Sequence, residues 1–259
     1  LRTVNTARVG GEAVSDNGAV LTVRRAIAMM GLEGVRRIAL ALRPWPGPLS
    51  PPLADDLARA MDRVRRAGRV AMVIRPAGYD PEVAYLITLM QNLGRLVVQY
   101  HFADEAAQVR RLMQPAPAAE GKGEDPGMTE QAAAMAVLGV DLEAIGTAVA
   151  RWWGLDDGVV HMMRRHALTA PVRSADGDDD QLRMTASCAN EVLDALALPA
   201  HRVQAALQTV VQRYGRALSL TLRDLQAALQ PGAAETRRRA ADAPVEPPPR
   251  GAAENRAPA

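Results

Sequence analysis

Apolar residues recur at helical spacing along most of the chain, and no segment shows the strict alternation of a half-buried strand. The pattern predicts eleven helical segments, at about 21–31, 32–42, 54–74, 82–100, 103–113, 129–139, 141–154, 156–166, 182–196, 201–218 and 221–229. Gly31 separates the first two, Thr129 and Asp141 are predicted caps, and Gly154 is a predicted stop. We therefore expect an all-α, multi-helix bundle.

Three stretches interrupt the helical pattern. Segment 43–52 holds five prolines and predicts a rigid connection, while segment 114–127 is rich in Pro, Gly and Ala and predicts a flexible loop. Segment 174–181 predicts a short acidic loop, and its aspartates lack the spacing of a calcium loop. From Pro231 onward the apolar period is lost, which predicts a helical domain over 1–230 and a disordered tail over 231–259.

Two of the predicted helices have distinctive faces. The helix at 54–74 should direct one set of side chains inward and another outward; these are Leu57, Met61, Val64 and Val70 inward, and Arg59, Arg63, Arg65 and Arg66 outward. The helix at 82–100 is the most apolar and should lie at the centre of the core. Its polar interruptions are Gln91, Asn92 and Arg95.

Composition narrows the possible partners and compartments. The 31 basic residues comprise Lys122 and 30 arginines against 29 acidic residues, and a net charge of +2 does not by itself indicate a nucleic-acid or membrane partner. The apolar run 82–90 is too short to span a bilayer, and no signal peptide is recognisable. The single cysteine, Cys188, excludes an internal disulfide framework, favours a cytoplasmic compartment and should be a small buried residue.

The four histidines do not form a metal-ligand motif. His161 and His166 are five residues apart, which places them on different faces of a helix. His101 follows the central helix, where a cap or a buried hydrogen bond is expected, and His201 should be exposed. Of the adjacent Trp152 and Trp153, one should pack in the core and the other should be partly exposed, with docking of a partner as the alternative.

Four separated motifs carry a resemblance to a known family. They are LRTVNTA with LTVRRAIAMMGLEGVRRIALAL after it, YLITLMQNLGRLVVQYHFADEAAQVRRLM, VLGVDLEAIGTAVARWWGL, and HMMRRH. In this order, over about 1–218, they resemble the bacterial HDOD domain, a relative of the HD-type metal phosphohydrolases. The resemblance implies an all-α signalling domain.

The sequence departs from that family where the catalytic vestige lies. The family often has Leu-His-Asp-Leu-Gly on the central helix, and this chain has Met90-Gln91-Asn92-Leu93-Gly94. Two carboxamides lack the imidazole and the carboxylate that hold a divalent cation, so we expect no catalytic residue, no metal and no cofactor. The residues expected around the vestigial pocket are Gln91, Asn92, His101, Asn5 and Asn190, with the carboxamides tying helices to backbone groups.

The resemblance also bears on the ends of the domain and on its partners. The family's domain usually begins several helices before the Val-Asn-Ser/Thr-Ala motif, so an incomplete domain is expected here, with apolar faces left uncovered at Val4, Leu21, Ile27 and Met30. Segments QNLGRLVVQYHF and ASCANEVLDAL are similar to HDOD regions that follow Ser/Thr kinase-like domains. The chain itself has no kinase glycine loop or catalytic-loop Asp.

The sequence therefore supports a cytoplasmic, non-catalytic regulatory module that acts through protein partners or through a covalently attached upstream domain, without membrane or nucleic acid. Two alternatives remain. One is a metal phosphohydrolase, against which the missing His-Asp pair argues. The other is a sensor that binds a nucleotide or cyclic dinucleotide without hydrolysis, through arginines around the vestigial pocket.

Overall fold

The computed structural model describes residues 21–41, 49–115, 127–169 and 171–242, with side chains as far as residue 237. These ranges contain twelve helices and no strand. They are α1 Val23–Ala41, α2 Pro51–Ile74, α3 Pro81–Met90, α4 Leu93–His101, α5 Ala103–Leu112, α6 Glu130–Leu138, α7 Leu142–Trp152, α8 Asp157–Met162, α9 Asp178–Leu196, α10 Ala200–Leu218, α11 Leu222–Ala228 and α12 Ala233–Asp242. The prediction of an all-α bundle is confirmed.

Local capping chemistry sets several helix boundaries. Thr129 Oγ1 accepts a hydrogen bond from the Ala132 amide at 3.2 Å, and an Asp141 carboxylate oxygen accepts one from the Glu143 amide at 3.1 Å. Both predicted caps are confirmed, because these oxygens satisfy amides that have no partner inside the helix. At the start of α11, Thr221 and Asp224 form a reciprocal capping box that the sequence analysis did not identify.

Helix α2 begins three residues earlier than predicted. Pro51 and Pro52 occupy its first turn, where the missing proline amide N–H costs no hydrogen bond and the fixed φ suits a helix. The assignment of both prolines to the rigid connection is therefore wrong, and the rest of that connection, 42–48, lies outside the described residues. Arg63 on α2 points outward as predicted, and at the surface it forms an ion pair with Asp194 of α9.

The predicted single helix over 82–100 is two helices, α3 and α4, with a break at Gln91 and Asn92. In an uninterrupted helix the Asn92 backbone amide would donate to the Thr88 carbonyl. Here the Asn92 side-chain amide takes that carbonyl at 3.0 Å, and the backbone amide donates to Leu89 instead at 2.9 Å. The side chain thus competes with the helical ladder and redirects the chain.

Helix α9 also begins earlier than expected. The predicted acidic loop supplies its first turn, with Asp178, Asp179 and Asp180 at the N-terminal end of the helix, where negative charge is favourable. Clustered aspartates are typical of a loop, but in a first turn they also stabilise a helix, so the predicted loop is too long at this end.

The tail differs from the prediction over part of its length. Residues Ala233–Asp242 form α12, which contacts α2 and buries Ala234. Among the side chains described on this helix, Ala234 is the buried apolar one, and a single apolar contact leaves no apolar periodicity in the sequence. The remaining predicted tail, 243–259, lies outside the described residues, as do Val4, Asn5 and most of the predicted loop, 116–126.

The main core surrounds α9, which packs against α2, α3, α8 and α10. Twelve of its 19 residues are buried. The centre of the core is therefore formed by α9 together with α3 and α4, and the sequence predicted only the latter pair. Cys188 is fully buried on α9, as expected, and burial raises the pKa of its thiol. Trp153 packs against the core and Trp152 is 68% exposed, which confirms the expected division between the two tryptophans.

The described part of the chain includes no single helix with both the length and the apolar character needed to cross a bilayer. Helices α6 and α7 reach that threshold only when taken together, and they meet at a bend of 73°.

A second, smaller core joins α4, α5, α6 and α7 through Val98, Ala106, Ala134 and Leu142. Helices α4 and α7 approach so closely that a Cβ atom added at Gly94 would lie 1.8 Å from the Leu142 carbonyl oxygen. On the facing helix, a Cβ atom at Gly146 would lie 2.9 Å from the Gly94 amide nitrogen. The two glycines therefore allow the backbones to meet, which fixes the direction of α4 after the break.

Substitution Gly94→Ala should destabilise the protein, by about 1–3 kcal/mol, because the helices must separate. Helix propensity alone predicts the opposite, a gain of about 0.5–1 kcal/mol. Urea unfolding of Gly94→Ala and of the control Gly177→Ala, where an added Cβ meets nothing within 4 Å, measures the sign. A stabilised Gly94→Ala protein would contradict the close approach.

Candidate functional site

The break between α3 and α4 brings three buried carboxamides together. Gln91, Asn92 and Asn190 are 8%, 4% and 2% exposed. Asn92 Nδ2 donates to Asn190 Oδ1 at 2.8 Å, and Asn190 Nδ2 donates to Gln91 Oε1 at 3.0 Å. Three of the residues expected around the vestigial pocket thus lie in one hydrogen-bonded cluster.

The Gln91 side chain connects three parts of the fold. Its Nε2 is 3.0 Å from the Met162 carbonyl oxygen at the end of α8, 3.3 Å from the Arg183 carbonyl oxygen of α9 and 3.2 Å from Ser187 Oγ. The Met162 carbonyl is at a helix end, where backbone oxygens lack intrahelical partners. Gln91 therefore links a core helix to backbone carbonyl groups of α8 and α9, as its amide donors predict.

The Asn92 side-chain oxygen faces two arginines. Arg95 Nη1 donates to Asn92 Oδ1 at 2.9 Å, and Arg165 Nη2 donates to the same atom at 2.6 Å. Arg95 also forms a bidentate ion pair with Glu130 of α6, whereas Arg165 pairs with Asp194 of α9 at 3.0 Å. A carboxamide oxygen at this position accordingly accepts hydrogen bonds from two cations.

A cavity of about 60 Å³ opens beside this cluster, between α2, α4, α9 and the segment after α8. Its polar lining consists of Arg63, Arg95, Arg165, Asn92, Asn190 and Asp194, and its apolar lining of Ala60, Val64, Ala67, Leu96 and Leu193. Asp194 pairs with both Arg63 and Arg165, so one carboxylate serves two of the three guanidinium groups in the lining.

Arg165 is the most confined of these arginines. Its side chain is 19% exposed, and its Nε is buried without a hydrogen-bond partner. Burial, together with the positive charge of Arg95, lowers the pKa of Arg165 to about 10. The guanidinium remains charged at neutral pH, and it is held among like charges.

The nucleotide-sensor alternative expects arginines around the vestigial pocket but does not identify them. The sequence predicts Arg95 only as an interruption of an apolar helix and Arg63 only as an outward residue. The available signal was spacing, because Arg95 is three residues after Asn92 and lies over the same face of the helix. No sequence signal brings Arg165 or Asp194 to this place, since they come from distant segments.

The remaining expected pocket residue in the described ranges lies elsewhere. His101 is exposed at the end of α4, where its ring meets Tyr100 edge-on at 4.7 Å, so the expectation that it joins Gln91 and Asn92 is not met. His161 pairs with Asp180 at 2.8 Å, and His201 is exposed as expected. The described residues contain no group of three or more His, Cys, Asp or Glu side chains placed to hold a metal ion.

A second buried polar cluster lies on the other side of α9. The Tyr214 hydroxyl donates to a Glu191 carboxylate oxygen at 2.5 Å, and Arg213 pairs with the second oxygen. Burial raises the pKa of Glu191 despite these partners. His166 lies against the Tyr214 ring, its Nε2 is buried without a partner, and burial with the charges of Arg183 and Arg213 lowers its pKa to about 4.

Stability should fall as the pH drops from about 6.5 to about 4, because an unfolded histidine binds a proton in this window and the folded His166 does not. Substitution His166→Gln should make this fall shallower. The free energy of unfolding by urea at pH 7.0, 5.5 and 4.5 measures it, with exposed His201→Gln as the matched control. Parallel pH profiles for wild type and His166→Gln would refute this role of His166.

Comparison with known proteins identifies the fold. The chain is similar in structure to the MmoQ response regulator from Methylococcus capsulatus strain Bath, at 17% identity over 88% of this chain and 82% of that one, with a TM-score of 0.59. A candidate phosphohydrolase from Shewanella amazonensis SB2B matches at 15% identity over 92% and 77% of the two chains, with a TM-score of 0.47. No curated protein sequence matches.

A family model provides the assignment. The model of the HDOD domain matches residues 1–168, which include the break, the carboxamides Gln91 and Asn92, and Arg165. The chain belongs to the HDOD domain family.

Proposed function

We propose that this HDOD domain is a regulatory module that transmits a signalling state through protein contacts and catalyses no reaction. The observation that carries the proposal is the environment of Asn92, whose side-chain oxygen accepts hydrogen bonds from Arg95 and Arg165. This is the position at which the resemblance to HD phosphohydrolases implies a metal-binding carboxylate.

Electrostatics oppose a divalent cation here. Hydrolysis by a metal-bound water needs ligands that offer lone pairs to the cation. The Asn92 oxygen is already oriented toward two guanidinium groups, and the Gln91 oxygen accepts a hydrogen bond from Asn190. Three arginines facing the same cavity would repel a cation that approached it.

Exposed apolar side chains support the second half of the proposal. Helix α1 bends at Gly31, where φ is 66°, and buries only Ala26 among its residues. Leu32 and Leu40 on this helix are 84% and 76% exposed. Apolar side chains concentrated on one exposed helix are typical of contact with another protein or domain. The proposed partners are a protein or an attached domain, such as a kinase-like one, in the cytoplasm.

Purified protein incubated with Mn²⁺, Fe²⁺ or Zn²⁺ and then desalted should retain no stoichiometric metal, and it should not hydrolyse bis-p-nitrophenyl phosphate. Metal analysis by plasma mass spectrometry and a colorimetric assay measure both. Metal that is retained by wild type and lost from a Gln91→Ala/Asn92→Ala variant would overturn the non-catalytic proposal, whereas metal lost only from His161→Gln would identify a surface histidine site.

If the partner protein contacts α1, acidic substitutions at exposed leucines of that helix should abolish its binding. Proximity labelling in the source cells should enrich the same proteins with wild type and with the control Arg37→Glu, and it should lose them with Leu32→Glu/Leu40→Glu. Each enriched protein is then purified and its binding measured, with circular dichroism to confirm that the variants are folded. Equal binding by all three chains would exclude α1 as the contact surface.

A further inference from the structure

We infer that the cavity between α2, α4 and α9 is a binding site for one phosphate-sized oxyanion, taken up as inorganic phosphate or as the terminal phosphate of a small soluble molecule. We call it the arginine cavity, and its polar lining is Arg63, Arg95, Arg165, Asn92, Asn190 and Asp194. The inference goes beyond the proposed function, because it names a ligand for a domain that otherwise acts through protein contacts.

The charge balance of the arginine cavity favours an anion. Its lining has three guanidinium groups and one carboxylate, that of Asp194. Glu130 lies outside the lining and pairs with Arg95, so three guanidinium groups are balanced by two carboxylates, with one positive charge left over. Positive charge is therefore in excess on surfaces that are partly removed from water, where an anion interacts more strongly than at an open surface.

The guanidinium groups keep free donors toward such a ligand. An arginine has five N–H bonds, and Arg165 uses two of them, on Asn92 and Asp194. The Nη–H bonds that remain can donate charge-assisted hydrogen bonds to an oxyanion oxygen.

The donors are also held in place before a ligand arrives. Asn92 and Asn190 are almost fully buried and hydrogen-bonded to each other, and Asn92 Oδ1 orients both Arg95 and Arg165. Asp194 orients Arg63 and Arg165 from the opposite helix. Because the side chains are already ordered, binding would lose little conformational entropy.

The size of the cavity limits the ligand. A volume of about 60 Å³ is several times the ~10–15 Å³ that admits one water molecule, so a group of a few heavy atoms fits. A single tetrahedral oxyanion is of this order, whereas a whole nucleotide is not. A larger ligand would place only its terminal phosphate in the arginine cavity.

The test compares phosphate with chloride at matched ionic strength, by calorimetric titration and by thermal unfolding. Wild type should bind one phosphate, and its unfolding temperature should rise with phosphate concentration, since a ligand of the folded state stabilises it. Arg63→Gln should bind at least about tenfold more weakly, a loss expected for one charge-assisted contact. Arg65→Gln, which removes a charge on another face of α2, should bind as wild type does.

The test does not depend on whether Arg63→Gln folds, because a second measurement uses the wild-type protein alone. The side-chain amide signals of Asn92 and Asn190 and the Arg165 Nε–H signal should shift in ¹H–¹⁵N spectra as phosphate is added. Absence of these shifts, or equal stabilisation by phosphate in wild type and Arg63→Gln, would overturn the arginine cavity as a phosphate site.

Three ligands distinguish the source of the phosphate group. If the site takes the end of a small molecule, a nucleoside 5′-monophosphate should bind more tightly than inorganic phosphate, and the nucleoside should not bind. If inorganic phosphate binds as tightly, it is itself the ligand. If neither inorganic phosphate nor the nucleoside 5′-monophosphate binds, the inference is overturned. The non-catalytic proposal is then untouched, because the metal-retention and hydrolysis assays test it separately.

Discussion

The pairing of three carboxamides that are buried between α3, α4 and α9 governs this fold. Gln91, Asn92 and Asn190 hydrogen-bond to one another and to backbone carbonyls of three elements. An unpaired carboxamide at this depth would cost about 1–3 kcal/mol, so the helices that carry these residues must meet in one arrangement. The break at Asn92 follows from the same requirement, because its side chain takes the carbonyl that the helical ladder would have used.

The direction of α4 after the break determines where charge collects. Gly94 and Gly146 let α4 lie against the backbone of α7, and this orientation turns Arg95 toward Asn92 and Glu130. Arg165, arriving from the segment after α8, then faces the same oxygen. The position at which the family resemblance implies a metal-binding carboxylate is thus faced by two arginines, and the proposed regulatory contact and the proposed anion recognition are compatible uses of one scaffold.

Several features could be predicted from the sequence because they depend on neighbours in the chain. Helical periodicity predicted the approximate place of most helices, and Thr129 and Asp141 indicated two helix starts by short-range capping. The carboxamides Gln91 and Asn92 stand where the family resemblance implies a His-Asp pair, and this expectation needs only the sequence. The prediction is wrong where a residue suits two local structures: Pro51 and Asp178 are typical of loops, and both also suit the first turn of a helix.

The sequence by itself determined an all-α HDOD chain and the chemical identity of its carboxamide pair, since periodicity, capping and residue type are local properties. Only the tertiary structure decided that α3 and α4 separate at Asn92, that His101 lies outside the cluster, and that Arg63, Arg95, Arg165 and Asp194 line one cavity. Arg63 and Asp194 are 131 residues apart in the chain, and their meeting depends on how α2 packs against α9. Such long-range packing is set by the fit of whole helices, which no local pattern encodes.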